Sequence, residues 1–331
     1  MLERLKKKVF IHHDGALGDT LLSLPCISLI RESASHIHLA GRGDVTALLK
    51  EAGIVDAVSS ADSVVYSSLY ADSMDETADK LLAAYDALYL FTVHQDSQIS
   101  RQMRQISPDV KVISTIPPED SYEHVAEYRL RQCGYGREEL KRDISFRIPE
   151  EEMTWAKGFL KDRGNADCGN ILIALHPGSG GRKKCWPRKQ YEALISLIAV
   201  DPRMICMIFS GPAEDDETVA LFSQLAKHNR KIIHLHDERL VRVAALLTMS
   251  DYYLGNDSGI SHLAGVLQCR GMVLFGPTNS RLWRPYGSTM DVLRFESEGP
   301  DMLSAGQVYA GMKNALAPKE AKIDFQRRRL I

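Results

Sequence analysis

LGNDSGISHLAG, residues 254–265, is the stretch from which the fold and the ligand site of this chain can be worked out. Its apolar beginning, preceded by Tyr252 and Tyr253, is typical of the end of a buried strand, and a polar turn and a helix start follow. A helix start leaves backbone N–H groups unpaired and carries a partial positive charge, so it suits an anionic ligand. Taken alone, Asp257 or Ser258 could equally be the N-cap of that helix.

A second strand-to-turn element of similar kind lies upstream. Residues 171–181, ILIALHPGSGG, run from an apolar strand into a loop of glycine and serine. Because both loops occur in the same half of the chain, we expect them to hold a phosphate-rich ligand between them.

The composition is that of an ordinary globular protein. The 331 residues suit two domains of roughly 150 residues each. Lys and Arg (41) nearly balance Asp and Glu (43), and the formal net charge of −2 argues against a general nucleic-acid binder. The six cysteines are scattered and form no Cys-x-x-Cys pair, which favours free thiols in a reducing cytoplasm over disulfides or a zinc site.

The sequence shows no membrane-spanning or secretory segment. No stretch approaches the ~18 apolar residues that cross a bilayer, and His12, His13 and Asp14 interrupt the apolar start of the chain. We therefore expect a cytoplasmic protein. The basic clusters at 6–8 and 327–329 favour solvated chain ends, with peripheral contact to the cytoplasmic face of the inner membrane as the alternative.

Strand and helix patterns alternate along the whole chain, which predicts an α/β fold with two parallel sheets. The predicted strands are 8–13, 36–40, 56–59, 87–92, 110–114, 171–175, 204–210, 231–235, 252–254 and 272–275. The predicted helices are 20–32, 45–52, 74–84, 97–106, 122–133, 150–160, 189–199, 217–228, 241–249, 260–267 and 302–316. We place two Rossmann-like domains at 1–150 and 151–331, with the option that the last helix packs back on the first domain. The ligand site is expected in the cleft between them.

The chain resembles glycosyltransferase family 9, the heptosyltransferase family of lipopolysaccharide core assembly. The resemblance is carried by HPGS at 176–179, KCWP at 184–187, GNDSG at 255–259 with His262, FGPT at 275–278, and ALGDTLLSLP at 16–25. It extends from about residue 9 to 316 and is most specific between 176 and 287. It implies a GT-B fold, in which the two domains face each other across a cleft. The donor sugar nucleotide then binds the C-terminal domain and the acceptor binds the N-terminal one.

The resemblance also implies inversion at the anomeric carbon without a metal or other cofactor, and the sequence contains no Asp-x-Asp pair that would chelate a metal–diphosphate. The charge of the leaving diphosphate must then be met by the protein. The donor-binding residues that we predict are Ser179, Gly180, Lys184, Glu214, Asp257, Ser258, Gly259, Ile260 and His262.

Three of these donor residues have competing interpretations. Lys184 matches the family's donor lysine, although it also fits a solvated basic run in which Lys183 is a substitute. Glu214 is implied to bind a ribose hydroxyl, while its place after a Gly-Pro turn also fits an exposed charge at a helix start. His262, one turn into its helix, lies close to the donor in the family, whereas histidines in such places are more often structural.

Asp19 is the predicted catalytic base. An inverting transfer needs a base to take the proton of the acceptor hydroxyl as the sugar carbon is attacked. Asp19 follows the first strand at a strand-to-helix turn, and its position matches the base proposed for the family. From spacing alone, it could instead be the N-cap of the helix that follows.

The sequence gives weaker signals for the residues that bind the acceptor. Candidate residues there are Gly18, His94, Gln95, Arg101 and Arg104. The two arginines could meet a phosphorylated acceptor, although they also fit an ordinary polar helix face. His12-His13 and the stretch 93–96 depart from the family's usual pattern, which indicates an unusual acceptor site.

The predicted activity is therefore transfer of a sugar, heptose from ADP-heptose, to a lipopolysaccharide core or to a related glycan or lipid-linked glycan. A nucleotide-sugar epimerase or hydrolase of the same architecture is the first alternative, since fold alone does not decide function. A noncatalytic sugar-nucleotide binding protein is the second. Incubation with donor alone discriminates between the three: an epimerase or hydrolase changes the sugar, a transferase needs the acceptor, and a binding protein does neither.

Overall fold

The computed structural model describes residues 6–71, 75–107, 109–136, 138, 144, 146–163, 169–296 and 302–317. The basic cluster at 327–329, the rest of the tail, Cys168, and residues 139–143 and 145, which precede the predicted domain boundary at 150, lie outside the described residues. No helix within the described ranges combines the length and apolar character that a bilayer crossing requires.

The N-terminal domain is a parallel sheet covered by helices on both faces. Its strands are β1 (Lys7–His13), β2 (Ala34–Gly41), β3 (Ala57–Ser60), β4 (Ala87–Thr92) and β5 (Lys111–Ser114). Its helices are α1 (Leu17–Leu22), α2 (Leu24–Ser33), α3 (Gly43–Glu51), α4 (Val64–Ser67), α5 (Glu76–Ala83), α6 (Gln98–Ile106) and α7 (Val125–Gln132). The strand order is β3-β2-β1-β4-β5. Phe10 and Ile11 point to opposite faces of β1 and are both fully buried, as expected for a strand covered on both sides.

The C-terminal domain repeats this arrangement with one more strand. Its strands are β6 (Ile171–His176), β7 (Met204–Ser210), β8 (Ile232–His236), β9 (Tyr252–Asn256), β10 (Gly271–Phe275) and β11 (Asp291–Arg294), in the order β11-β10-β9-β6-β7-β8. Its helices are α8 (Glu150–Asp162), α9 (Arg188–Val200), α10 (Asp216–His228), α11 (Leu240–Thr248), α12 (Gly259–Val266), α13 (Ser280–Trp283) and α14 (Ala305–Leu316). The predicted α/β class with two parallel sheets is thus confirmed.

Both strand orders reverse direction in the middle of the sheet. The reversal lies between β1 and β4 in the first domain and between β6 and β9 in the second. Loops at the carboxyl ends of the strands on either side of such a reversal diverge and leave a crevice, which is where open α/β sheets bind ligands. The four loops after β1, β4, β6 and β9, together with the first turns of the helices that follow them, carry most of the predicted site residues.

The predicted helix 20–32 is two helices, which meet at Ser23. Pro25 lies in the first turn of α2, where its missing N–H needs no partner but where it cannot continue a helix from before. The short elements α4, α13 and β11 were not predicted, because four residues carry too little periodicity to be recognised.

The last helix packs within the C-terminal domain, so the option that it returns to the N-terminal one is wrong. Val308 and Met312 are fully buried in the core cluster formed with β9, β10 and α9. Lys313 Nζ also lies 2.7 Å from Asp201 Oδ2, at the end of α9. Burial of this apolar face against its own sheet explains the placement.

The two domains touch along the cleft. Helix α1 packs on α12, and Arg239 Nη2 at the start of α11 lies 2.7 Å from Glu51 Oε1 on α3. On the other side, His124 Nδ1 accepts the Ala126 N–H, so its Nε2 carries the proton and donates to Arg284 O at 2.9 Å. The carboxyl ends of both sheets therefore face each other at contact distance.

Candidate functional site

The two glycine-rich loops of the C-terminal domain lie side by side because β6 pairs with β9. Ser179 Oγ donates to Asp257 O at 2.6 Å, and Asn256 Nδ2 donates to Pro177 O. His176 Nδ1 and Ser258 Oγ are 3.0 Å apart. These bonds join the loops to each other, and Asn256, which is fully buried, also accepts the Trp186 N–H at 3.0 Å. The structure thus brings the two predicted loops together as one hydrogen-bonded unit.

Ser258 is the N-cap of α12. Its Oγ accepts the Ser261 N–H at 3.3 Å, so the capping interpretation is confirmed for Ser258 and not for Asp257. The cap does not remove the helix start from the cleft, because Gly259 meets the first domain: an added Cβ there would lie 2.8 Å from Leu17 Cβ. Ile260, the next residue, lines a cavity between the domains.

Asp257 and Lys184 form an ion pair, with Lys184 Nζ 3.0 Å from Asp257 Oδ2. The Asp257 side chain is 5% exposed and that of Lys184 is 43% exposed. A buried carboxylate therefore holds an ammonium group whose remaining surface is open to solvent. Such a group is placed to meet a phosphate, and its fixed position costs little reorganisation when charge develops there.

Glu214 is buried, which rules out the interpretation as an exposed helix-start charge; the N-cap of α10 is Asp215. Its Oε2 accepts the Gly211 N–H at 2.6 Å, while its Oε1 has no hydrogen-bond partner among the described residues. Burial raises the pKa of Glu214, and the bond from Gly211 opposes that shift. An unpartnered buried oxygen is costly, so Oε1 is suited to accept a hydrogen bond from a bound ligand.

A cavity of about 490 Å³ lies next to Glu214 between the two domains. Glu214, Asp237 and Ile260 line it from the C-terminal domain, and Leu17 and Asp44 line it from the N-terminal domain. Its volume falls within the range of small-molecule sites. A cavity therefore lies in the cleft where the ligand site was expected, and its walls come from both domains.

Asp19 lies in the first turn of α1, whose N-cap is Ala16, so the N-cap interpretation of Asp19 is wrong. Its side chain is 38% exposed. The turn that carries it touches the opposite domain, since an added Cβ at Gly18 would lie 2.9 Å from His262 Cδ2. Asp19 is thus a partly exposed carboxylate at the contact between α1 and α12.

His262 is buried and is not a satisfied structural histidine, because its Nδ1 has no hydrogen-bond partner within the described part of the chain. Burial lowers the pKa of His262 to about 3, although the Asp19 carboxylate acts in the opposite direction. The ring is therefore neutral near pH 7. A neutral imidazole next to Asp19 offers a hydrogen bond without adding a charge.

Arg129 is the site residue that the sequence analysis missed. Its guanidinium is fully buried beneath Asp19, and Nη2 donates to Asp19 Oδ1 at 3.2 Å. The only signal was an arginine on the apolar stripe of the predicted helix 122–133, between Val125 and Leu130. His13 was noted as a departure from the family pattern, and the structure connects it to the same group through Ser23.

The acceptor-side candidates are dispersed. His94 and Gln95 are exposed in the loop after β4, and Gln95 Nε2 donates to Gln132 Oε1 at 3.0 Å. Arg101 and Arg104 are exposed on α6, where Arg101 Nη2 donates to Gln98 Oε1 at 3.1 Å on the same helix. This contact and the exposure of both side chains favour a polar helix face for the arginines. The acceptor role of these four residues, and of Gly18 in α1, stays a prediction.

The residues described by the structure include no cluster of three or more His, Cys, Asp or Glu side chains that could hold a metal ion. Metal independence nevertheless stays a prediction, to be tested directly. Among the cysteines described, Cys26, Cys133, Cys185, Cys206 and Cys269 are free.

Comparison with known proteins identifies the family. The model of glycosyltransferase family 9 (heptosyltransferase) matches residues 125–307. Lipopolysaccharide heptosyltransferase 1 of Escherichia coli O18:K1:H7 (strain RS218 / NMEC) is 25% identical over 174 residues, which are 52% of this chain and 52% of that protein. The matched part thus spans about half the length of this curated relative.

Two solved structures are similar over nearly the whole chain. The family 9 glycosyl transferase of Veillonella parvula DSM 2008 has a TM-score of 0.75 at 20% identity, over 95% of this chain and 98% of that one. The ADP-heptose lipopolysaccharide heptosyltransferase II of Escherichia coli has a TM-score of 0.71 at 16% identity, over 93% and 98%. These likenesses confirm the GT-B fold.

Proposed function

Because this chain belongs to glycosyltransferase family 9 (heptosyltransferase), we propose that it is an inverting enzyme that transfers a sugar from a nucleotide-sugar donor to a glycan acceptor. The donor we propose is ADP-heptose, and the acceptor is a lipopolysaccharide core or a related, lipid-linked glycan. The name of the Escherichia coli ADP-heptose heptosyltransferase, which shares the fold, supports this choice of donor.

In this proposal the C-terminal domain binds the donor. The unpartnered Oε1 of Glu214 accepts a ribose hydroxyl of the nucleoside in the adjacent cavity. Lys184 and the start of α12, with Gly259 and Ile260, meet the diphosphate, and Ser179 and Gly180 lie in the neighbouring loop. These groups stabilise the charge of the leaving diphosphate, so we propose that no metal is required.

The N-terminal domain supplies the base. Asp19 takes the proton of the acceptor hydroxyl while that oxygen attacks the anomeric carbon from the face opposite the leaving group. The bond between the anomeric carbon and the diphosphate oxygen breaks in the same step, and ADP leaves with the electron pair. The observation that carries the proposal is the partly exposed Asp19 carboxylate on α1, which packs against the donor-side helix α12.

The test begins with the nucleotide. Thermal unfolding of the full chain is measured with ADP, UDP, GDP and CDP in excess EDTA, and a ligand at ~100 times its Kd should stabilise by about 2.7 kcal/mol. Selective stabilisation by ADP is expected. Selectivity for UDP or GDP would refute the heptose donor, and no shift with any nucleotide would refute the donor site.

The reaction is then followed with ADP-heptose, with and without a heptose-free lipopolysaccharide acceptor. We expect ADP release and a glycosylated acceptor only when both substrates are present. A changed or freed sugar without acceptor would instead indicate the epimerase or hydrolase. Loss of activity in EDTA, restored by a divalent cation, would refute metal independence.

The membrane contact is tested separately. A lipid-linked acceptor would bring the chain to a membrane surface, and contact through basic chain ends should be lost at high salt. Co-sedimentation with anionic vesicles that disappears at high ionic strength is the expected result. Equal recovery from anionic and neutral vesicles would contradict it.

A further inference from the structure

The guanidinium of Arg129 uses all its donors within the N-terminal domain. Nε and Nη2 donate to Thr115 O at 3.2 and 2.6 Å, and Nη1 donates to Ser23 Oγ at 2.9 Å. Nη1 also donates to Asp19 O, and Nη2 to Asp19 Oδ1 at 3.2 Å. A guanidinium has five N–H groups in a fixed fork, and each has an acceptor here. The ammonium of lysine, with three donors, cannot reproduce this pattern.

Arg129 cannot touch a substrate, because its side chain is 0% exposed, whereas that of Asp19 is 38% exposed. The arginine holds one oxygen of the carboxylate, and Oδ2 has no hydrogen-bond partner in the part of the chain that the structure describes. Burying a guanidinium is costly unless the surroundings satisfy it. Through its hydrogen bonds, Arg129 fixes both the main chain and the side chain of Asp19.

Ser23 and His13 complete the arrangement from beneath. His13 Nδ1 accepts the Gly15 N–H at 3.1 Å, so the proton is on Nε2, which donates to Ser23 Oγ at 3.0 Å. Ser23 Oγ also accepts from Arg129 and therefore directs its own proton to Asp19 O, at 3.2 Å. Gly15 lets these groups approach, since an added Cβ would lie 2.6 Å from His13 Cε1 and 2.8 Å from Asp19 Cβ.

We propose that Arg129 is a positioning residue, which, with Ser23 and His13, holds the Asp19 carboxylate so that Oδ2 faces the acceptor hydroxyl. This inference rests on the proposed function, in which Asp19 is the base. A misplacement of about 1 Å of a reacting group can cost about a hundredfold in rate. Loss of Arg129 should therefore slow the transfer step without weakening donor binding, because the groups proposed to bind the donor lie on the other domain.

The test compares Arg129→Met and Arg129→Lys with Arg131→Met in the full-length enzyme. Arg131 is on the same helix, but its side chain is 62% exposed and pairs with Glu123 at 2.9 Å. We expect both Arg129 variants to lower kcat by about ten- to a hundredfold with unchanged affinity for ADP. Arg131→Met should have the wild-type kcat. A folded Arg129→Met with kcat within twofold of wild type would overturn the proposal.

Double variants separate positioning from a general structural effect. If Arg129 acts through Asp19, then adding Arg129→Met to Asp19→Asn should lower the residual rate little further. A full additional ten- to hundredfold loss in the Asp19→Asn background would overturn the positioning role while leaving the proposed function intact. A wild-type chain that transfers no sugar would overturn both, so the two failures are distinguishable.

Ser23→Ala tests the positioning role of this network if the Arg129 variants do not fold. It keeps the arginine and removes only the hydroxyl between Arg129, His13 and Asp19 O. The expected result is a kcat several-fold below wild type, with a cooperative unfolding transition and wild-type ADP affinity. An unchanged kcat in a folded Ser23→Ala enzyme would refute the positioning network.

Discussion

Gly178→Ala is the substitution whose effect the structure defines most closely. An added Cβ at this position would lie 1.6 Å from Glu214 Oε1, far inside the 3.0 Å below which such contacts essentially do not occur. The Glu214 carboxylate therefore has to move by more than an ångström. Because Oε1 is the end of a side chain, the carboxylate moves rather than the backbone, and we expect this movement to break the 2.6 Å hydrogen bond from the Gly211 N–H to Oε2.

Two losses are expected from Gly178→Ala. A hydrogen bond to a charged group contributes about 1.5–3 kcal/mol, so the free energy of unfolding should fall by about that amount. The unfolding temperature should then drop by roughly 2–4 °C for each kcal/mol, the value for domains of this size. If Glu214 binds the ribose, a contact of the same kind is lost to ADP, and Kd should rise by roughly one to two orders of magnitude.

The assay is thermal unfolding together with calorimetric titration of ADP, with two matched controls. Gly181→Ala changes the same loop, where an added Cβ meets nothing within 4 Å, and should leave both quantities near wild type. Glu214→Ala should lose ADP affinity, and adding Gly178→Ala to it should cost no further stability, since the clashing oxygen is gone. A Gly178→Ala protein with wild-type stability and ADP affinity would refute this reasoning.

The other predictions concern the charged groups of the cleft. Asp19→Asn should lower kcat by about 10²- to 10⁴-fold with unchanged ADP affinity, and a near-normal rate would remove Asp19 as the base. Lys184→Met should weaken ADP binding at least tenfold and leave the buried Asp257 without its cation, whereas Lys183→Met should do neither; equal losses would contradict the assignment. The pKa of His262 in the folded protein is about 3, below the ordinary value of 6.5. Between these two pH values the unfolded chain binds more protons than the folded one, so His262 should lower the free energy of unfolding as the pH falls from 6.5 towards 3. The melting temperature should fall less steeply over this pH range in His262→Gln than in the wild type. Equal slopes for the two proteins would contradict this prediction.

The fold was largely predictable because its signals are local and repeated. Buried strands such as β7, which was predicted with its observed bounds, are apolar runs flanked by turn residues, and helices alternate with them. The loops after β6 and β9 could be paired in advance because parallel strands end at the same edge of a sheet. By contrast, the interruption at Ser23 depends on one proline within an otherwise continuous helical pattern.

The candidate site was only partly predictable, because its decisive contacts join residues distant in sequence. Lys184 and Asp257 were each predicted to contact the ligand. Their pairing with each other, across the loops that follow β6 and β9, was not predicted. Arg129 lies 110 positions from Asp19, and nothing in the spacing connects them. A charged residue on the buried stripe of a helix is the local sign of such a contact, although it does not identify the partner.

Each half of the proposed site is organised by contacts within its own domain. Arg129 fixes Asp19 from inside the first domain, and Asp257 fixes Lys184 from inside the second. Contact between the domains therefore has only to bring α1 onto α12, and glycines permit that approach: a Cβ at Gly18 or at Gly259 would collide across the cleft. The close packing of α1 on α12 thus depends on these two glycines. In the proposed function, the proton acceptor comes from one domain and the groups that meet the diphosphate charge come from the other, so each domain alone would hold only half of the site.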